Sequence, residues 1–119
     1  RYVFEEQPLG TAGPLRAMAA DLPEHFLVMN GDLVTDLDFG DLLRTHAAYH
    51  AKTGSVATLA LYDRTTQIDF GVIEMDAKSG LVRSFREKPT LRHAMSMGIN
   101  AFSRGVTDFI PPDAFFGLD

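Results

Sequence analysis

The chain has 119 residues, 45% of them hydrophobic, with nine Phe and no Cys. That is enough for one domain with a buried core, and it excludes disulfides, thiol catalysis and a disordered chain. A net charge of −5 argues against a binder that works by neutralising nucleic-acid phosphates, and no apolar run reaches the roughly 18 residues of a membrane span.

Residues 2–4 (Tyr-Val-Phe) read as a short strand. Residues 11–21 read as a helix with Thr11 as N-cap, Pro14 in its first turn and an apolar stripe of Leu15, Met18, Ala19 and Leu22. Pro23 ends it. Residues 26–30 form a strand that is apolar at consecutive positions, as expected when helices cover both sheet faces. It stops at Gly31 and delivers Asp32 at its C-terminal end, the edge of an open α/β sheet where ligands bind. Asp38 and Asp41 then open a second helix that runs to about Lys52 and stops at Gly54. Residues 55–62 read as another strand. Residues 71–75 and 81–86 form a hairpin around the turn Asp76-Ala77-Lys78-Ser79-Gly80. Residues 96–103 are the last strand, and residues 108–119 hold at most a helical turn broken at Pro111-Pro112. The pattern βαβαβ, then a hairpin and a strand, predicts an α/β fold with a mixed sheet and flanking helices.

Four groups could carry chemistry. Asp32 suits Mg²⁺, which takes one or two carboxylates plus substrate phosphates; by itself it reads sooner as a turn aspartate capping backbone N–H groups. The loop Leu9-Gly10-Thr11-Ala12-Gly13 is neither a Walker A loop nor a dinucleotide fingerprint. Its glycines would let backbone approach a flat ligand, or simply make a helix-entry loop. Glu87-Lys88-Pro89 sets an anion beside a cation at a strand end, for sugar hydroxyls and a phosphate, or as a solvated terminus. Adjacent strand residues face opposite ways, so Pro89 is expected to supply a bend. His46 and His50 share a helix face at zinc-binding spacing, but they lie on the apolar stripe with no Glu after His46, and they read as interfacial histidines.

Taken in order, five motifs resemble the sugar-phosphate nucleotidyltransferase family. They are Glu6-Gln7-Pro8-Leu9-Gly10-Thr11-Ala12-Gly13-Pro14-Leu15, Val28-Met29-Asn30-Gly31-Asp32, Phe70-Gly71-Val72-Ile73-Glu74-Met75-Asp76, Phe85-Arg86-Glu87-Lys88-Pro89 and Met97-Gly98-Ile99-Asn100-Ala101-Phe102. The form of the glycine loop is most similar to that of mannose-1-phosphate guanylyltransferases. The resemblance implies a Rossmann-like catalytic domain of the nucleotide-diphospho-sugar transferase type. A phosphate oxygen of a sugar 1-phosphate would attack the α-phosphorus of an NTP, and pyrophosphate would leave. Leu9, Gly10, Thr11 and Gly13 would contact the nucleotide. Gly71 and Glu87 would contact the sugar, Lys88 its phosphate, and Asp32 would hold Mg²⁺, with Asp32 and Lys88 as the catalytic pair. GTP is the expected NTP, with Glu5, Glu6 and Gln7 as acceptors for the donor edge of guanine.

Ser96 stands where the family usually has a sugar-contacting Asn, and Asn100 where a Tyr often follows Gly-Ile. The family's N-terminal glycine-rich signature and its C-terminal metal-binding Asp are not in the chain. Residues 1–119 are therefore expected to be the central part of a catalytic domain. This piece would be cytoplasmic, inactive by itself and prone to pair as a homodimer through an exposed sheet edge. A non-catalytic nucleotide-sugar sensor of the same fold is the alternative.

Overall fold

A computed structural model describes residues 2–118. The chain forms two compact units: residues up to Ala60 together with those from Gly98 onward, and Leu61–Met97. Its elements are α1 (Gly13–Ala17), β1 (His25–Met29), α2 (Phe39–Thr53), β2 (Ala57–Gln67), β3 (Val72–Met75), β4 (Val82–Arg86), β5 (Thr90–Ser103) and a 3₁₀ helix, Arg104–Phe109. The strands form a three-stranded sheet of order β1-β5-β2 and a separate β3-β4 pair.

In the first unit β1 runs antiparallel to β5, with Phe26 opposite Phe102 and Val28 opposite Asn100. The Phe26 and Phe102 rings lie 6.0 Å apart and join Ala12, Leu15 and Ile110 in the core. α1 and the 3₁₀ helix cover this face, tied together by Arg16, which donates to the Thr107 carbonyl at 2.9 Å. Because side chains alternate along a strand, His25 and Ser103 point to the other face. There α2 packs on β1, with His46 completely buried. Helices on both faces explain why β1 is apolar at consecutive positions.

The signals at both ends of α2 act as expected. The Asp38 side chain accepts from the Asp41 N–H at 2.9 Å. Gly54 closes the helix in the left-handed region (φ 73°), its N–H bonding the His50 carbonyl at 2.8 Å.

Other expectations are corrected. Residues 2–4 are not a strand; they have no partner strand among the described residues, and Tyr2 and Phe4 are almost wholly exposed. α1 is capped by Ala12, not Thr11, and is only five residues long. Beyond Met18 the chain tightens into turns, with Ala19 bonding Arg16 and Asp21 bonding Met18, because so short a stripe does not offset helix nucleation. Thr11 instead accepts from the Leu118 N–H at 2.9 Å. β5 begins at Thr90 rather than at residue 96, and the helical turn near the C-terminus precedes Pro111-Pro112. Val3, Phe4, Leu59, Leu61, Ile73 and Phe85 stay outside the core despite their apolar character, all at least 40% exposed.

The second unit contains the β3-β4 hairpin, with Val72 opposite Arg86 and Ile73 opposite Phe85. Its turn is built by Asp76, whose Oδ1 accepts from the N–H groups of Lys78 and Ser79, each at 2.9 Å. Those backbone N–H groups, then the Arg83 guanidinium, hold the Asp76 carboxyl below the usual carboxylate range. Gly80 takes φ 70°, and Glu74 accepts from Ser84 at 2.9 Å and from Arg86 at 3.0 Å.

Candidate functional site

The first unit carries two of the expected groups. β1 ends at Met29, and the Asn30 N–H still bonds the Gly98 carbonyl at 3.1 Å. The Asn30 side-chain amide lies over Gly98, where a Cβ would come within 2.6 Å of its nitrogen; Gly98 also has φ +69°. Gly98 is therefore required for its dihedral, and it also gives the Asn30 amide room. The chain then turns outward, and Asp32 is exposed. Its carboxylate makes no hydrogen bond or ion pair among the described residues, so it does not act as a turn cap here. Asn30 was not singled out in the sequence; the positive φ that Gly98 needs was the available signal.

The Leu9–Gly13 loop is pinned by the chain near the C-terminus. Phe116 donates to the Leu9 carbonyl at 2.9 Å and accepts from the Ala12 N–H at 3.0 Å. A Cβ on Gly10 would stand 2.6 Å from the Phe116 carbonyl oxygen, and one on Gly13 would stand 2.3 Å from the Leu9 Cβ. Both glycines thus serve close approach within the protein itself. Beside the loop is a cavity of about 390 Å³. It is lined by Glu5, Glu6, Gln7 and Leu9, by Pro14 and Ala17 of α1, and by Asp113. Its size lies within the range of small-molecule sites, and four of its lining side chains, Glu5, Glu6, Gln7 and Asp113, offer acceptor oxygens.

The second unit brings Gly71 and Glu87 together. A Cβ on Gly71 would meet the Phe85 ring at 2.6 Å and the Glu87 Oε2 at 3.2 Å. The hairpin register, which sets Val72 opposite Arg86, makes this juxtaposition. At the end of β4 the chain bends, as Pro89 led us to expect. Lys88 sits at φ 42°, a left-handed conformation that is unusual for a residue with a side chain and more so before proline. The Pro89 carbonyl accepts from the Ile68 N–H at 3.0 Å and fixes the bend. Glu87 and Lys88 are both exposed. Strain of this kind gathers at ligand sites.

No three His, Asp or Glu side chains among the described residues are placed to hold a metal ion. No helix among the described residues is long and apolar enough to cross a membrane.

A family model for nucleotidyl transferases matches residues 1–114. The chain belongs to the nucleotidyl transferase family. Curated relatives include the mannose-1-phosphate guanyltransferase beta-B of Xenopus laevis, 34% identical over 111 residues. The mannose-1-phosphate guanylyltransferase catalytic subunit beta of Dictyostelium discoideum is 34% identical over 116 residues. The matches cover 89% and 93% of this chain but only 30% and 31% of those proteins, so the chain spans about a third of their length. Among solved structures, HddC from Yersinia pseudotuberculosis superposes with a TM-score of 0.56 at 22% identity, over 93% of this chain and 47% of that one. HddC complexed with GMP-PN gives 0.57 at 21%, over 98% and 50%. The nucleotidyl transferase fold is thus present as a partial domain.

Proposed function

We propose that this chain is the central part of the catalytic domain of a sugar-1-phosphate nucleotidyltransferase. The reaction transfers a nucleoside monophosphate from an NTP to a sugar 1-phosphate, releasing pyrophosphate. One observation carries the reading. Gly71 lets the Phe85 ring and the Glu87 carboxylate close up against its backbone, and the next residue, Lys88, is held in a strained turn. An acceptor for sugar hydroxyls and a cation for the sugar phosphate thus sit side by side at one strand end.

GTP and a mannose-type sugar 1-phosphate are the substrates we favour. Support comes from the names of the curated relatives and from the cavity beside Glu5, Glu6 and Gln7. Guanine offers donors at N1–H and N2–H₂, and paired acceptors discriminate strongly against a base that lacks them. Leu9, Gly10, Thr11 and Gly13 would shape the floor of the nucleotide site.

Asp32 would hold Mg²⁺. A single exposed carboxylate with no competing partner fits an ion that keeps waters and completes its shell with phosphate oxygens. When bound, the ion would neutralise charge on the NTP phosphates. The protein's own work is then positioning. Glu87 orients the sugar, and Lys88 screens the attacking phosphate so that its oxygen can approach the α-phosphorus in line with the leaving pyrophosphate.

The intact protein, assayed for pyrophosphate release against a panel of NTPs and sugar 1-phosphates, tests this. Release with GTP and a hexose 1-phosphate is expected. Tight NDP-sugar binding with no release under any pairing would establish the sensor reading instead. Residues 1–119 by themselves are expected to release none, and to self-associate through the outer edge of β1, which sedimentation checks.

A further inference from the structure

Three imidazoles meet on the face of the first unit opposite the Phe26–Phe102 core. His25 comes from β1, and His46 and His50 from successive turns of α2. The His25 ring stands edge-on to both others, with centroids 5.2 Å away in each case; those of His46 and His50 are 6.2 Å apart. His46 is held at both ends, its Nδ1 lying 2.9 Å from Thr58 Oγ1 of β2 and its Nε2 2.9 Å from Ser103 Oγ of β5. The same Ser103 oxygen lies 3.1 Å from His25 Nδ1. His50 Nδ1 lies 2.9 Å from the Ser55 carbonyl oxygen, which only accepts, so His50 carries its proton there.

A hydroxyl has one proton to give. With His25 and His46 neutral, Ser103 donates to one ring and accepts from the other. One imidazolium is still accommodated. With both rings charged, two N–H donors converge on the Ser103 oxygen and its own proton has no ring nitrogen to reach. The charged side chains next to the cluster on its own elements pair with one another. Glu24, beside His25, and Arg104, beside Ser103, lie 3.9 Å from each other. On α2, Arg44 faces Asp38 and Asp41. β2 and the Ser55 turn contribute only a hydroxyl and a carbonyl. The hydrogen bonds of the three rings go to the Ser103 and Thr58 hydroxyls and the Ser55 carbonyl.

The position of the cluster gives this a consequence. β1 and α2 are the two arms that flank the segment carrying Asp32, and the imidazoles and Ser103 tie both arms to β5. We propose that His25, His46 and His50 form an acid-sensitive latch, which pins α2 to the sheet while neutral and releases it when a second ring is protonated. Release of α2 slackens the segment from Asn30 to Asp38 and with it the position of Asp32. Burial first, and then the neighbouring His25 and His50, hold His46 below the ordinary histidine value. A histidine lowered in the folded state contributes stability that is complete above its unfolded value, near 6.5, and lost as pH falls through the folded value. The latch therefore opens on the acid side.

The test is amide hydrogen exchange on the intact protein at about pH 7.5 and about pH 5.5, on either side of the ordinary imidazole value. Protection factors for α2 should fall by roughly tenfold or more in the wild type. They should fall by less than about twofold in His46→Gln, whose amide bonds hydroxyls but does not titrate in this range. Equal losses in both proteins, or none in the wild type, overturn the proposal. If His46→Gln does not fold, the ring-proton titrations of the wild type decide. His46 titrating below the ordinary value supports the latch; titration at or above it refutes the latch. The readout is helix release and not catalysis, so the result is independent of the transferase reading.

Discussion

Phe26 and Ile73 occupy similar places in the sequence, each in mid-strand and each opposite a phenylalanine in an antiparallel pair. Their fates differ. Phe26 is 7% exposed against Phe102, whereas Ile73 is 52% exposed and its partner Phe85 60%. The first unit is held by burial on both faces of its sheet. The second has no buried residue anywhere in Leu61–Met97. A backbone ladder, one aspartate-built turn and half-exposed ion pairs shape it, and exposed pairs are worth about 0–1 kcal/mol each. The two groups of candidate site residues therefore depend on different physics. Asp32 hangs from the end of a packed strand. Gly71, Glu87 and Lys88 depend on hairpin register and a strained bend.

The sharpest way to use that contrast is Asp32→Asn in the intact protein. The side chain lies outside the core, so the melting temperature should not move while turnover falls about 10³-fold or more, roughly 4 kcal/mol in the barrier. Steady-state kinetics beside a thermal melt separates the two effects. Wild-type turnover would remove Asp32 from the site.

Stability gives the next largest contrast. Phe26→Ala deletes a ring from the core and should cost about 3–5 kcal/mol. Ile73→Ala, on a strand that faces solvent, should stay within about 1 kcal/mol. Denaturant unfolding of both variants checks this. Similar costs would mean that the hairpin's apolar side chains are covered in the intact protein.

Lys88→Ala should lower kcat/KM by about 10²–10³, the range for removing one stabilising group, and Glu87→Ala should mainly raise the KM for the sugar phosphate. If both variants change only the nucleotide KM, the assignment of the second unit to the sugar phosphate fails.

What could be read from the sequence follows the same division. α2 was legible at both ends because Asp38 and Gly54 act locally, on backbone within one turn. The 76–80 turn was legible for the same reason, but the register that brings Gly71 to Glu87 also needs the one-residue shift between Glu74 and Met75, which no local signal gives. Residues 2–4 misled because a strand needs a partner, and apolar character alone does not supply one. β5 outran its expected start because pairing, not propensity, carries it back to Thr90. His46 and His50 were correctly read as interfacial, but the His46 partners Thr58 and Ser103 come from β2 and β5, and no spacing rule exposes such a contact. The pinning of Gly10 by Phe116 was hidden likewise, since the two are joined only through tertiary structure.

The smallest expected effect concerns the Asp76 turn. Two backbone N–H groups and Arg83 favour the Asp76 carboxylate and hold it below the usual range. A carboxyl lowered in the folded state contributes stability that is complete above its unfolded value, near 3.9, and lost as pH falls through the folded value. The 76–80 turn should thus keep its native chemical shifts from neutral pH down past 4 and lose them only below that. Over the same range Asp76→Ala should show no such transition. The effect should be slight, because the carboxylate is near solvent, which screens it, and because the β3-β4 ladder persists without it. It should also run opposite in range to the histidine cluster, which responds between neutrality and mild acid, where Asp76 is unmoved. A hairpin that loosened near pH 6 together with α2 would show that the two units do not titrate separately, and would break the contrast between them.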